Sequence, residues 1–393
     1  MPDVAIVGGG IIGAACARAL ARAGATVTLI ERAELAAGAS GRNQGWFVLP
    51  EDPLLEPMAS ASLPEYLAVA GSASAPLPVW MDPDPVGHVL VALDDVGMRT
   101  AAEDVASAAA HGVRVDVLDP AGLREIEPAV TPDAVGGWLL HEGHRLDPAS
   151  MTVALALLAK EAGAEVRHHL NVRALVRDGD AVRGVVTDEG RIDADEVIVA
   201  AGPWSTPLLD PIGVQIPVTG ARGWLVRVAP RTELLHHLVE QAGWREGPER
   251  RAAVARPTAG ATAESGMPRG EVGPVMHLHR DGSVLVGSSR QAWVTPEPED
   301  PTVPERQLRA AIRLVPALAE GSVVSSWWGL RPVTPDERPI VGRVRDGLVV
   351  ATGHGSYGVI LGAGTAGLVT SIVLGQHPPF DPTPFDPFRF AAD

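Results

Sequence analysis

Several residue types on which common protein sites depend are nearly missing from this chain. Cys16 is its only cysteine, which excludes a disulfide framework, a thiolate metal cluster and a redox pair of cysteines. Lys160 is its only lysine, so a lysine Schiff base or a lysine acting as acid or base could lie at that one position. Chemistry elsewhere in the chain must rely on other groups or on a bound cofactor.

Long apolar runs and an excess of positive charge are lacking as well. No uninterrupted apolar run reaches the roughly 20 residues of a transmembrane helix. The first residues lack a basic region and are soon interrupted by glycines, which favours a strand and a turn over a signal peptide. The formal net charge of −16 argues against nucleic acid or an anionic membrane as a partner. We therefore expect a cytoplasmic protein without membrane insertion whose partner is a small molecule, in an oligomeric state that composition does not define.

The order of the predicted elements indicates an α/β fold with two domains, as the length of 393 residues allows. Strand–helix–strand patterns occur at both ends. Residues 216–288 alternate like a half-exposed antiparallel sheet and contain a Pro-, Gly- and Arg-rich insertion near residues 243–273. Four short strands are predicted between residues 164 and 202, and an amphipathic helix over residues 305–320. The pattern predicts a discontinuous nucleotide-binding domain that surrounds a substrate domain.

A glycine-rich turn near the N-terminus carries the most specific signal. Gly8, Gly10 and Gly13 follow a short apolar strand and open a helix, and Glu31 follows the next strand. In this arrangement the glycines let a pyrophosphate approach the backbone, the helix N-terminus supplies amide donors, and the acid can bind a ribose hydroxyl. Two further copies of the glycine spacing near the C-terminus have no acidic residue at that distance. The first copy predicts a dinucleotide site, with a tight turn that binds nothing as the alternative.

The segment GASGRNQGWF, residues 38–47, favours FAD over NAD. A simple NAD enzyme would continue from Glu31 into another helix and strand, whereas this chain enters a polar segment suited to a second phosphate and the edge of a ring. Its polar side chains are Ser40, Arg42, Asn43 and Gln44. The distant turn of residues 353–358 opens another helix, whose N-terminal dipole would stabilise the charge that a flavin gains on reduction.

With these motifs, the sequence resembles the D-amino-acid oxidase superfamily, the FAD enzymes that include glycine oxidase, sarcosine oxidase and D-amino-acid dehydrogenase. The stretches that carry the resemblance are DVAIVGGGIIGAACARALARAGATVTLIER, GASGRNQGWF, RLDPASM, VIVAAGPWS, WWGLRPVTPDERPIVG and GHGSYGVILGAGTAG. The resemblance implies a discontinuous Rossmann-type FAD domain (residues 1–50, 140–215 and 325–393) and a substrate domain with a mixed, largely antiparallel sheet (residues 51–139 and 216–324). It also implies non-covalent FAD, because the cysteine and histidine that attach the flavin in some relatives are not matched here.

The resemblance assigns roles along the cofactor. Glu31 would hold the adenosine ribose, Val172 would contact adenine through its backbone, and Ala201 with Gly202 would support FAD from the end of a strand. The other candidates for cofactor binding are Gly8, Gly10, Ile11, Ile12, Gly13, Arg32, Ser40, Arg42, Asn43, Gln44, Gly45, Trp204, Arg331, Gly353, Gly355, Ser356, Tyr357, Gly358 and Val359.

The implied reaction is oxidation of a C–N bond in an amino acid or secondary amine, by an oxidase or a dehydrogenase. A hydride equivalent passes to flavin N5 and leaves an imine, and oxygen or another acceptor reoxidises the flavin. Arg331 matches an arginine that binds the substrate carboxylate in glycine oxidase, with an internal ion pair to Asp336 as the alternative. Tyr357 is the second catalytic candidate, through packing or a hydrogen bond to substrate.

Five weaker candidates for the substrate pocket are Trp46, Phe47, His277, His279 and Arg290. Trp46 and Phe47 could form an aromatic wall that favours amines, with packing in the protein core as the alternative. His277 and His279 share one face of a predicted strand, which could line the substrate cavity or face solvent. As a metal pair they lack further ligands, so no metal is predicted.

Two other classes of function stay open at this point. A non-catalytic FAD-binding subunit of a larger complex would be yellow, yet no amine would reduce its flavin. An NAD-dependent dehydrogenase would be colourless and would bind NADH.

Overall fold

In a computed structural model of the protein, the central element is a parallel sheet, and the glycine-rich turn follows the carboxyl end of one of its inner strands. The residues that the structure describes are 1–50, 52–73, 75–243, 271–291 and 300–390. The insertion predicted near residues 243–273 lies almost wholly outside these described residues. The described strands are β1 (Asp3–Val7), β2 (Thr26–Ile30), β3 (Trp46–Phe47), β4 (His88–Ala92), β5 (Val115–Leu118), β6 (Gly136–Leu140), β7 (His144–Arg145), β8 (Glu165–Arg167), β9 (Val172–Asp178), β10 (Ala181–Thr187), β11 (Gly190–Asp193), β12 (Glu196–Val199), β13 (Thr219–Ala229), β14 (Leu238–Gln241), β15 (Glu271–Leu278), β16 (Val284–Arg290), β17 (Ser322–Val333), β18 (Ile340–Arg345) and β19 (Leu348–Thr352). The described α-helices are α1 (Ile11–Arg22), α2 (Glu56–Ala70), α3 (Asp95–Ala110), α4 (Pro120–Ile126), α5 (Pro148–Glu161), α6 (Ser205–Leu209), α7 (Thr302–Leu314) and α8 (Gly358–Leu374).

The parallel sheet has the strand order β18-β19-β12-β1-β2-β8, in which β18 alone is antiparallel to its neighbour. Side chains alternate between its two faces, so Val4 and Ile6 pack against helices α1, α5 and α8, while Ala5 and Val7 pack against the three-stranded sheet β9–β11. Because both faces are covered, the central strands β1, β12 and β19 are apolar and buried over most of their length. This arrangement confirms the predicted Rossmann-type domain.

Helix α8 packs closely because it is rich in small residues. A Cβ atom at Gly364 would lie 2.1 Å from the carbonyl oxygen of Met58, and one at Gly362 would lie 2.4 Å from Tyr66 Oη. The last copy of the glycine spacing, at Gly362, Gly364 and Gly367, lies within this helix and serves helix packing rather than phosphate binding.

The second large sheet has eight strands in the order β17-β13-β16-β15-β14-β4-β6-β5. Strands β14 and β4 are parallel and the other described pairs are antiparallel, which confirms the mixed, largely antiparallel sheet. Helix α7 covers one face through Ala311 and Leu314. Strand β17 runs from Ser322 to Val333, so this sheet continues past the domain boundary predicted between residues 324 and 325.

Local backbone features explain where the predicted elements differ from the observed ones. Residues 164–202 contain five strands, not four, because His169 takes a left-handed φ of 58° and interrupts the extended conformation between β8 and β9. The helix predicted to reach residue 320 ends at Leu314, ahead of Pro316, and a 3₁₀ turn follows. Among the described helices, none combines the length and apolar character needed to cross a membrane.

Candidate active site

A cavity of about 790 Å³ opens where the parallel strands end and continues under the eight-stranded sheet. Val7, Ile30 and Thr352 line it from the carboxyl ends of β1, β2 and β19, and Leu225 and Ser288 line it from β13 and β16. Ligands of open α/β sheets bind at this edge, and the volume lies within the range of about 300–1,000 Å³ typical of ligand sites.

The N-terminal glycines shape the wall of the cavity between β1 and α1. A Cβ atom at Gly8 would lie 2.4 Å from the carbonyl oxygen of Ala200, and one at Gly13 would lie 1.9 Å from the carbonyl oxygen of Gly8. Gly10 faces Ser40, whose Oγ would be 3.0 Å from an added Cβ. Gly8 and Gly13 thus allow close backbone packing, and Gly10 keeps the space in front of the helix N-terminus open.

Glu31 is fixed at the end of the cavity that suits an adenosine. Its carboxylate accepts hydrogen bonds from the backbone N–H groups of Gly9, at 2.7 Å, and Ala33, at 2.9 Å. Each carboxylate oxygen can accept a second hydrogen bond, as from a ribose hydroxyl. The guanidinium of Arg32 stacks 4.0 Å from the ring centroid of Trp204, and both residues line the cavity.

The polar segment at residues 38–47 joins the two sheets. Ser40 Oγ accepts a hydrogen bond from the N–H of Ile11, at 2.9 Å, so the serine lies directly at the N-terminus of α1. Arg42 Nε donates to the carbonyl of Ala37, at 2.8 Å, and Gln44 Nε2 donates to the carbonyl of Val275 in the eight-stranded sheet, at 2.6 Å. These side chains line the cavity and also hold the segment in place.

The C-terminal glycine-rich turn forms the opposite wall. Gly355, Ser356 and Tyr357 line the cavity just before α8 begins, so the N-terminus of a 17-residue helix is directed toward it. His354, which sequence reasoning missed, also lines the wall, and its Nε2 lies 3.0 Å from Thr365 Oγ1. Burial lowers the pKa of His354 to about 3, so this ring is neutral near pH 7.

Arg331 lines the cavity from β17 and is held by the neighbouring strand β16. Its Nη1 donates to the carbonyl of Ser289 and its Nη2 to Ser288 Oγ, both at 3.0 Å. Gly223 makes room for it, because a Cβ atom there would lie 1.8 Å from Arg331 Nη1. Asp336, the alternative partner, instead binds Arg389 at 2.8 Å.

An ion pair lies near Arg331 in the same wall of the cavity. Arg290 Nη2 is 2.6 Å from Glu337 Oε1, and both residues line the cavity. Glu337 belongs to the quoted stretch WWGLRPVTPDERPIVG, but nothing in its sequence neighbourhood indicates Arg290 as its partner.

Of the four weaker aromatic and histidine candidates, only Trp46 is among the residues that line the cavity. Trp46 lines the cavity, and its Nε1 donates to His277 Nδ1 at 2.6 Å. His277 is fully buried, and desolvation lowers its pKa well below 6.5. Phe47 packs edge-on against Tyr66, and His279 packs against Trp80, so both belong to the surrounding packing.

Most of the predicted site residues meet in this one cavity. The predicted residues that line it are Gly8, Gly10, Ile11, Ile12, Glu31, Arg32, Ser40, Arg42, Asn43, Gln44, Gly45, Trp46, Val172, Ala201, Gly202, Trp204, Arg290, Arg331, Gly355, Ser356, Tyr357, Gly358 and Val359. The predicted residues outside the lining are Gly13, Phe47, His277, His279 and Gly353.

This donor set suits FAD in three respects. The space before α1 is one that a Cβ atom at Gly10 would begin to fill, two helix N-termini are directed at the cavity, and a fixed carboxylate lies at its far end. Gly10 and Ser40 would hold the diphosphate, Glu31 the ribose, and Gly355 to Gly358 the pyrimidine edge of the flavin.

Comparison with known proteins agrees with this geometry. The family model described as FAD dependent oxidoreductase matches residues 3–372. The chain belongs to this family.

Relatives of this FAD-dependent oxidoreductase include a glycine oxidase of Pseudomonas aeruginosa, 30% identical over 401 residues and covering 98% of each chain. A D-amino acid dehydrogenase of Rhizobium johnstonii is 30% identical over 295 residues, 72% of this chain and 62% of that protein. The solved structure of glycine oxidase from Geobacillus kaustophilus shares the fold, with a TM-score of 0.84 and 24% identity over 100% of this chain and 99% of that one. The predicted family, fold class and FAD cofactor are confirmed.

Proposed function

We propose that this oxidoreductase oxidises the C–N bond of an amino acid or secondary amine to an imine, with Arg331 binding the substrate carboxylate. The observation that carries the proposal is the guanidinium of Arg331 in the wall of the FAD cavity, near the glycine-rich turn before α8. Relatives named glycine oxidase and D-amino acid dehydrogenase support an amino-acid substrate.

The position of Arg331 suits carboxylate binding because the side chain is oriented before substrate arrives. Hydrogen bonds to Ser288 and Ser289 hold its planar group in one orientation. A guanidinium fork can then donate two parallel hydrogen bonds to a carboxylate. Such charged hydrogen bonds contribute about 1.5–3 kcal/mol each.

The remaining groups at this end orient the substrate and exclude water. Trp46, Trp328 and Tyr357 provide an aromatic lining, and the Arg290–Glu337 pair borders it. When bound, FAD supplies the acceptor for the hydride equivalent that leaves the carbon beside the amine. An uncharged amine needs no protein base for this step, and water then hydrolyses the imine after release. Oxygen or another acceptor completes the cycle.

The test compares substrates with and without a carboxylate. Arg331→Ala should lower kcat/KM for amino acids by about 10²–10⁴-fold, the equivalent of two lost charged hydrogen bonds. It should leave the rate with amines that lack the carboxylate within a few-fold of wild type. Arg191→Ala, which removes an exposed arginine paired with Asp193, is the matched control. Equal losses on both classes of substrate would show that Arg331 has a structural role.

A further inference from the structure

Three side chains that commonly bind metals meet on the surface beside the adenosine end of the cavity. One carboxylate oxygen of Glu34 and one ring nitrogen each of His168 and His169 lie within 4.8 Å of one another. We propose that this Glu34–His168–His169 cluster binds a divalent transition metal, with Zn²⁺ as the reference ion, and that the bound metal strengthens FAD retention.

Each histidine places one ring nitrogen near a different carboxylate oxygen of Glu34, at a distance that a shared metal ion could bridge. His169 Nε2 is 2.8 Å from Glu34 Oε1, and His168 Nδ1 is 3.5 Å from Glu34 Oε2. Bonds of about 2.0–2.1 Å to Zn²⁺ place tetrahedral ligand atoms roughly 3.3 Å apart, between these two distances. Strand β8 ends at Arg167, so the two histidines lie in the segment that follows it, where His169 has a left-handed φ of 58° and the centroids of the two rings lie 4.7 Å apart.

The ligand set selects the class of metal. Two imidazoles and one carboxylate favour Zn²⁺, Cu²⁺ or Ni²⁺, whereas Mg²⁺ and Ca²⁺ prefer oxygen ligands alone. All three side chains are exposed, so water can complete the coordination shell. The neighbouring cation Arg167 lies beside Glu165 and Glu189, which offset its repulsion of a metal.

The cluster connects the segment after β2, which contains Glu34, with the segment after β8, which contains the two histidines. Both segments contribute to the wall of the cavity beside Glu31. The N–H of His169 donates to the carbonyl of Ala33, at 3.2 Å, and the N–H of Leu170 donates to the carbonyl of Glu31, at 2.9 Å. Ala33 and Leu170 both line the cavity. A metal held by Glu34 and the two histidines would cross-link these two segments and stabilise the wall that they form, so FAD should dissociate more slowly from the metal-bound protein.

The first test measures metal binding to the FAD-loaded protein, prepared without a histidine tag, by titrating Zn²⁺ against a chelating indicator. We expect one Zn²⁺ per chain that depends on the cluster. His169→Gln and Glu34→Gln should each weaken binding at least about tenfold, since even residues that only orient a ligand contribute that much. His377→Gln, which removes an exposed histidine outside the cluster, should bind like wild type. Equal Zn²⁺ affinity in all four proteins would overturn the site.

The second test follows FAD release by the rise in flavin fluorescence after dilution. Zn²⁺ should slow release from wild type and His377→Gln but not from His169→Gln, and Mg²⁺ at the same concentration should have no effect. A release rate that Zn²⁺ leaves unchanged in wild type would overturn the link between the metal and the cofactor. Neither readout depends on the substrate of the enzyme.

Discussion

Replacing Gly10 by leucine tests the assignment of the diphosphate site. Gly10 has a φ of −78°, which leucine adopts without strain, and the nearest atom to an added Cβ is Ser40 Oγ at 3.0 Å. The rest of a leucine side chain would occupy the space in front of α1 and push Ser40 away from the N–H of Ile11. If two hydrogen bonds to the charged diphosphate are lost, at about 1.5–3 kcal/mol each, the Kd for FAD should rise about 10²–10⁴-fold.

The assay is FAD binding to the apoprotein, followed by quenching of flavin fluorescence. Circular dichroism and thermal unfolding of the apoprotein show whether the variant is folded, so loss of FAD can be separated from loss of structure. Gly122→Ala is the control, because a Cβ there makes only ordinary contacts, the nearest at 3.4 Å from Asp119 Oδ1. A folded Gly10→Leu protein with wild-type FAD affinity would refute the reasoning.

Two further predictions concern stability. Burial lowers the pKa of His277 and His354 below the unfolded value near 6.5, so the unfolded chain binds more protons than the folded chain as the pH falls below 6.5. The free energy of unfolding, measured with urea between pH 7 and 5, should therefore drop by up to about 1.4 kcal/mol per pH unit for each ring. A free energy of unfolding that does not change over this range would contradict the buried neutral state of the two rings. Gly364→Ala should destabilise the protein by about 1–3 kcal/mol, because its Cβ would meet the carbonyl oxygen of Met58, whereas Gly367→Ala in the same helix has space and should be neutral or stabilising. Thermal unfolding of the two alanine variants tests this difference, and equal melting temperatures would contradict it.

The residues at the cofactor-binding end of the cavity were predictable because their steric requirements arise within short stretches of sequence. Gly8 packs against the carbonyl of Ala200 and Gly13 against the carbonyl of Gly8. Gly10 instead keeps the space before α1 open, and these requirements appear directly as the glycine spacing. The segment at residues 38–47 was recognisable by its polar groups, although its hydrogen bond to Val275 was not.

The substrate end was less predictable because strand register creates it. Arg331 meets Ser288 only because β17, β13 and β16 are neighbours in the sheet, and Arg290 meets Glu337 across 47 positions of sequence. His277 was predicted to share the substrate cavity, yet its ring lies behind Trp46 and holds that side chain. Periodicity shows which face a residue occupies but not which distant strand that face meets.

The most direct test of the proposed activity is anaerobic titration of the FAD-loaded enzyme with amino acids and amines. The proposal predicts that at least one carboxylate-bearing amine bleaches the visible flavin absorbance and releases an imine-derived carbonyl product in equal amount. Admitting oxygen to the bleached enzyme then identifies an oxidase by rapid return of the colour and a dehydrogenase by slow return. A flavin that dithionite reduces, but that every amine and amino acid leaves oxidised, would contradict the proposed function.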